Sequence, residues 1–326
     1  MRRFACGRVS VGEGGRIATL AAATFGLTGS GALRSRPGTL NRRLQSVTWA
    51  VLMAWLLAAA LSLARAAAAA DLQPIPDKLV VLTFDDSVAS HYSVVRPLLK
   101  QYGFGATFFI TEGFSFRTNK KDYMTWEQIE GLHQDGFEIG NHTRDHMSVT
   151  PASVSRLREQ IEAINAQCAA HKIPRPTSFA YPGNGIATNA LPVLAKLGIR
   201  FARRGGAPEY PYERGRGFAY EPGRDHPLLI PSAGDARPDW TLDDFKRAVA
   251  QARNGRIAVL QFHGVPDNEH PWVHTPPALF EQYLKHLRDE GCRVIALRDL
   301  ARYVDASARP TDPMTIIEQR KAQRRD

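Results

Sequence analysis

From Lys78 onward, short runs of apolar and β-branched residues alternate with longer segments whose apolar positions recur every three or four residues. That alternation predicts repeated β–α units. Residues 78–84 read as a strand buried on both faces. Val94, Val95, Leu98 and Leu99 share one helical face, which predicts a helix over 91–102 ended by Gly103. Further strands are predicted at 106–110, 137–140, 178–181, 199–202, 226–231, 257–262 and 293–297. Thr125 and Gln128 form a capping box that opens a helix stopping at Gly136. Other helices are predicted over 151–171 and 189–197, from Thr241 and Asp244 to about Asn254, and over 277–290 and 300–304. Residues 203–227 read as a long loop, and the polar tail 309–326 is expected to fray. The fold class expected is α/β: one distorted (β/α) barrel of about seven units spanning 71–308.

Residues 1–70 stand apart from that pattern. Arg42 and Arg43 precede an apolar run over 47–64, and alanines 66–70 follow just before Asp71. This reads as an export signal cleaved after the alanine tract, or as a membrane anchor if uncleaved. The signal lies so far inside the chain that translation is expected to start near Leu40. Export places the protein in a periplasm, cell envelope or medium. Among 42 basic and 32 acidic residues, nine and one lie in 1–70, leaving 33 and 31 for the rest. The basicity therefore belongs to the leader and gives no reason to expect a nucleic-acid partner. No Gly-rich phosphate loop is present. Outside the leader, Cys168 and Cys292 are available for pairing in an exported protein.

Polar clusters follow four of the predicted strands, where barrels of this kind place their chemistry. Thr83-Phe84-Asp85-Asp86-Ser87 puts two carboxylates at the end of a buried strand, a costly arrangement unless a metal or a proton carrier uses them. His142 and His146, spaced i and i+4, are expected on one helical face with both rings able to reach one ion. With Asp86 they form a two-imidazole, one-carboxylate set that leaves positions open for water and substrate. Tyr181-Pro182-Gly183-Asn184-Gly185 offers a backbone that a ligand can approach closely, and equally suits a plain turn. His263, followed by Gly264, sits where a general acid is useful.

Together, TFDDS at 83–87, NHTRDH at 141–146, FAYPGNG at 179–185, RPDW at 237–240 and LQFHG at 260–264 resemble the polysaccharide deacetylase family, carbohydrate esterase family 4 with its NodB homology domain. The resemblance covers roughly residues 78–300. It implies Asp85 as general base, Asp86, His142 and His146 as ligands of a divalent metal (zinc first, cobalt or nickel as alternatives) and His263 as general acid. It implies Asp239 as the partner of His263, and Tyr181, Pro182, Gly183 and Trp240 as substrate-binding residues. The reaction implied is hydrolysis of the linear amide of an N-acetylated polysaccharide or oligosaccharide, releasing acetate. Three positions depart from the family. Ser87 replaces a Gly, Gln261 replaces a Leu, and the third motif lacks the Arg that pairs with the base. An O-acetyl esterase of the xylan type, a ring-opening amidase, a non-catalytic glycan-binding module and a structural zinc protein are the rival readings. Among aromatic residues, Tyr123, Trp126 and Trp272 are further candidates for a sugar platform, whereas His270 and His274 read as solvated loop residues.

Overall fold

In the computed structural model, which describes residues 72–211 and 214–323 with positions 53 and 55, the strand–helix alternation curls into a parallel barrel. Its organising strand is β1 (Leu79–Phe84), every residue of which is buried. Along its length β1 pairs with β7 (Ala258–Phe262). β2 (Thr107–Ile110) joins it at its end and β8 (Arg293–Ile295) at its start. β3 (Glu138–Asn141), β4 (Ser178–Ala180) and β5 (Phe201–Arg203) extend the sheet beyond β2, and β6 (Gly234–Asp235) lies outside β7. Residues 227–236 bridge the two edges. Ile230 exchanges backbone bonds with Ala202 and Arg204, while Ala233 and Ala236 donate to Val259 and Gln261. The result is the distorted (β/α) barrel expected from the pattern.

The period-two alternation of the strands sorts the core into layers. Val80, Leu82 and Phe84 face outward and pack with Leu99, Leu132, Phe245, Phe280 and Leu284. These come from α1 (Arg96–Tyr102), α2 (Trp126–Gln134), α5 (Leu242–Val249) and α6 (Pro277–Asp289). α3 (Val154–Ala170) and α4 (Leu191–Lys196) cover β4 and β5 through a second outer cluster. Leu79 and Val81 point into the barrel and meet Phe109, Ala180, Phe201, Ile230 and Val259. Gly140 is required here, because a Cβ at that position would come within 2.4 Å of the Phe109 ring. The capping boxes at Thr125–Gln128 and Thr241–Asp244 both form.

Two expectations need correction. The strand expected over 226–231 is a single bridge at Ile230, followed by the two-residue β6. Among its described residues the tail does not fray: α7 (Thr315–Gln323) docks with Ile316 and Ile317 buried. Arg320, also buried, bonds Asp225 at 2.7 Å and lies 4.0 Å from Glu209, which in turn pairs with Arg204 at 2.5 Å. Two isoleucines and one arginine suffice to anchor a helix that is otherwise polar, and so escape a search for an apolar stripe. Cys168 and Cys292 are free. Apart from positions 53 and 55, the leader lies outside the described residues. Among the described residues no helix is long and apolar enough to cross a membrane.

Beneath the barrel mouth, His91 packs between Phe84 and Phe108, and its Nε2 donates to the His263 carbonyl at 3.0 Å. Burial pushes this imidazole down to about 4. The folded protein thus keeps His91 neutral while the unfolded chain takes up a proton below pH 6.5, so stability falls as pH drops from 6.5 to about 4. Relative to a His91→Gln variant, the wild type should lose about 3 kcal/mol of unfolding free energy over that window. Urea titrations at stepped pH measure this; parallel profiles for the two proteins would rule it out.

Candidate active site

β1 delivers its carboxylates by two different geometries. Asp85 continues the inward-facing series of Leu79 and Val81 and lies across the barrel mouth from β5. Asp86 and Ser87 then take positive φ values of 74° and 58°, which turns the chain sharply over the strand ends. A left-handed backbone favours glycine. Ser87 is held in it by bonds to β2's continuation, its hydroxyl donating to the Thr111 carbonyl at 2.8 Å and accepting from the Thr111 N–H at 2.9 Å.

His142 and His146 do not lie on a helix. They leave the end of β3 in a tight turn in which Thr143 and His146 have positive φ, and the turn brings their rings to 4.9 Å. Asp86 Oδ1 lies 3.4 Å from His142 Nε2 and 3.3 Å from His146 Nε2. One ligand atom from each residue falls within 4.8 Å of the others. His142 Nδ1 donates to the Ala180 carbonyl at 2.8 Å, which leaves Nε2 as a lone-pair donor. Asp86 Oδ1 is buried and has no hydrogen-bond partner. An orphaned carboxylate oxygen facing two imidazole nitrogens fits a divalent cation.

On one flank, Asp85 is clamped by Arg203 Nη2, at 2.6 Å and 2.5 Å from its two oxygens, and both side chains are almost wholly buried. Arg203 ends β5, one position past the strand expected there, and supplies the cation that the third motif lacks. Gln261 Nε2 adds a 3.3 Å bond to Asp85, and its Oε1 accepts from Ser232. A leucine at 261 would provide neither.

On the other flank, His263 Nε2 lies 3.9 Å from Asp86 Oδ2, and its Nδ1 faces Asp235 Oδ1 at 3.8 Å. Arg237 Nη2 holds the other Asp235 oxygen at 2.5 Å. Burial raises the Asp235 carboxyl above its ordinary range, with Arg237 and His263 opposing. The partner of His263 is therefore Asp235 and not Asp239, which is exposed on the following turn. Asp235 lies on a two-residue strand with no apolar run to mark it, so the neighbouring aspartate beside Trp240 drew the assignment.

The cleft over these groups is walled by Phe114, Tyr181, Gly183, Asn184, His270, Trp272 and Val273. Gly183 has φ 59° and nothing within 4 Å of where a Cβ would point. Tyr181 lines the cleft, but its hydroxyl is spent on the Leu228 carbonyl at 2.8 Å. Pro182 is buried in the turn and Trp240 is outside this cleft. The Trp240 indole packs on Gly234 and Ala248 and borders a separate hollow with Arg216 and Arg247. Phe114, with φ 56° and its ring 4.5 Å from His146, gave no signal in the sequence. Of the platform candidates, Tyr181 and Trp272 reach the cleft wall, and Tyr123, Trp126 and Trp240 do not. His270 is no solvated residue: its ring packs 4.6 Å from Phe114.

The mouth of the barrel thus holds a two-imidazole, one-carboxylate group that could bind a divalent cation, flanked by a clamped aspartate and an aspartate-backed histidine. Residues 73–202 match the family model described as polysaccharide deacetylase. Among curated relatives, the peptidoglycan-N-acetylglucosamine deacetylase of Bacillus cereus is 34% identical over 89 residues, 27% of this chain and 38% of that one. The chain spans 25% to 44% of the length of the curated relatives it matches. Among solved structures, a family 4 acetyl xylan esterase from Clostridium thermocellum, in complex with a cobalt ion, has a TM-score of 0.47 and 22% identity, covering 73% of this chain and 96% of that one. Bacillus subtilis PdaA, a family 4 carbohydrate esterase, has a TM-score of 0.45 and 18% identity, covering 71% and 84%.

Two outcomes follow from this geometry. Replacing Arg203 with Met should strand a buried charge on Asp85 and cost about 3–5 kcal/mol of stability. Adding Asp85→Asn to that variant should recover part of the loss; chemical denaturation of the two single variants and the double variant reads the coupling, and strictly additive losses would contradict it. For His142, burial opposes the proton, but the charge of Asp85 and the bond and charge of Asp86 outweigh it and raise the imidazole above 6.5. Protons then compete with a cation for His142, so metal affinity should rise with pH through that range. Equilibrium dialysis against zinc across pH tests this, and a flat profile counts against the assigned ligands.

Proposed function

We propose that the protein is an exported, metal-dependent deacetylase that removes acetyl groups from N-acetylglucosamine-containing polysaccharide and releases acetate. The observation that carries this reading is the pair of unlike groups on either side of one candidate metal centre, the carboxylate of Asp85 and the imidazole of His263. Asp86, His142 and His146 would hold the cation, with zinc the first candidate and cobalt or nickel as substitutes. When bound, such a cation supplies Lewis-acid polarisation in the cleft. Asp85 accepts a proton from the attacking water, with Arg203 and Gln261 fixing the carboxylate in place. His263 delivers a proton to the leaving nitrogen, and Asp235 faces the imidazolium that precedes this delivery. The open backbone at Gly183 offers an N–H toward the carbonyl oxygen. The leader with its alanine tract supports action outside the cytoplasm, on a cell-envelope or extracellular glycan.

The test is acetate release from a panel of N- and O-acetylated oligosaccharides, with and without a chelator. Release should stop on metal removal and return on adding zinc or cobalt. Asp85→Asn should reduce it roughly 100-fold or more, and His146→Ala should reduce it through lost metal. His263→Ala should harm amide cleavage more than ester cleavage, because an amine leaves poorly without a proton. Undiminished release by Asp85→Asn and His146→Ala would remove this reading, and release from O-acetyl substrates alone would turn it into an esterase.

A further inference from the structure

A second aspartate–histidine pair faces the cleft, and the chemistry above leaves it without a role. Asp267 is 1% exposed, and its Oδ1 accepts the His270 backbone N–H at 2.8 Å while standing 3.4 Å from the ring's Nδ1. The ring's Nδ1 thus faces the same oxygen that holds its backbone, at a distance that makes an ion-pair contact without a hydrogen bond, and Nε2 is left for another partner. The loop that carries the pair is pinned at its base and its side. Val265 N–H donates to Ser90 Oγ at 2.8 Å, Thr275 N–H to the Gly264 carbonyl at 3.0 Å, and Asn268 Nδ2 to Asp122 at 3.2 Å. The His270 ring sits between Phe114 at 4.6 Å and Trp272 at 5.3 Å, and the indole of Trp272 is 61% exposed at the cleft rim. An apolar ring at 270 would fill this gap equally well. A buried carboxylate behind the ring is costly unless the imidazole it orients is used.

We propose that His270 is a substrate-positioning residue whose Nε2 hydrogen-bonds a hydroxyl or amide of a pyranose ring stacked on Trp272, beside the group being hydrolysed. This rests on the deacetylase reading for its ligand class, a neutral N-acetylated oligosaccharide. Aromatic stacking supplies contact area without direction, and one fixed hydrogen bond supplies the register.

The test is calorimetric titration of a linear N-acetylglucosamine tetramer into zinc-loaded protein carrying Asp85→Asn, so that binding is read without turnover. Adding His270→Phe, which keeps the ring packing, should raise Kd about tenfold, and His270→Gln should recover most of that loss. Bound zinc per chain should not change. In the protein with Asp85 intact, His270→Phe should raise KM by a similar factor and alter kcat far less. An unchanged Kd in His270→Phe overturns the proposal, as does failure of the tetramer to bind or a collapse of kcat at constant KM. A tenfold loss of binding in a protein that releases no acetate would remove the deacetylase reading while keeping His270 in its role. Acetate release with an unchanged Kd would do the reverse.

Discussion

The mouth of this barrel must keep negative charge out of water, and most of what surrounds it follows from that requirement. Asp85, Asp86, Asp235 and Asp267 are all at least 96% buried, where an unpaired carboxylate is strongly disfavoured. Each meets at least one base. Arg203 on β5 clamps Asp85, the turn after β3 brings two imidazoles to Asp86, Arg237 and His263 face Asp235, and His270 backs onto Asp267. The arrangement at Asp86 differs from the others because two imidazole nitrogens face a single one of its oxygens. Burial works against its charge, yet His142 and His146 hold the carboxyl well below the ordinary range. That centre alone has the donor set and the orphaned oxygen to exchange protons for a metal ion.

The barrel makes this possible through strand alternation and through where each strand stops. Inside, apolar residues from β1, β2, β4, β5 and β7 fill the middle, and polar residues appear only where the strands end. Asp85, Gln261 and Arg203 are the last inward positions of their strands or one step beyond, so three elements distant in sequence meet over a single apolar plug. Asp86 escapes the alternation through its left-handed backbone, which turns the next carboxylate away from Arg203 and toward the histidines. One residue of offset thus gives neighbouring aspartates different partners.

Much of this was legible in the sequence, and the exceptions share a cause. The strands with continuous apolar runs and the helices with capping boxes fall within a few residues of where the pattern puts them. The three candidate metal ligands come together as their strand-end positions implied, although by a tight turn in place of the expected helical face. What escaped notice was carried by segments without periodicity. Asp235 lies on a two-residue strand, Phe114 on a loop with a strained backbone, and His270 in a loop whose order comes from side chain to backbone bonds. Arg203 carries the signal, a charged residue at a strand end, but the apolar run stops at Ala202. The motif around Trp240 points it to the cleft, whereas Gly234 and Gly215 leave room for its indole to sink into the wall instead.

The docked C-terminal helix has a reach greater than its size suggests. Arg320 binds Asp225 and approaches Glu209, and Glu209 grips Arg204, the residue next to the one that clamps Asp85. Alternating charges therefore run from α7 to Arg204, and they tie down the long excursion between β5 and β6 on the way. An affinity tag or a trimmed end at this terminus is not a remote edit. It loosens the far end of the ion pairs that hold Arg204, the neighbour of Arg203.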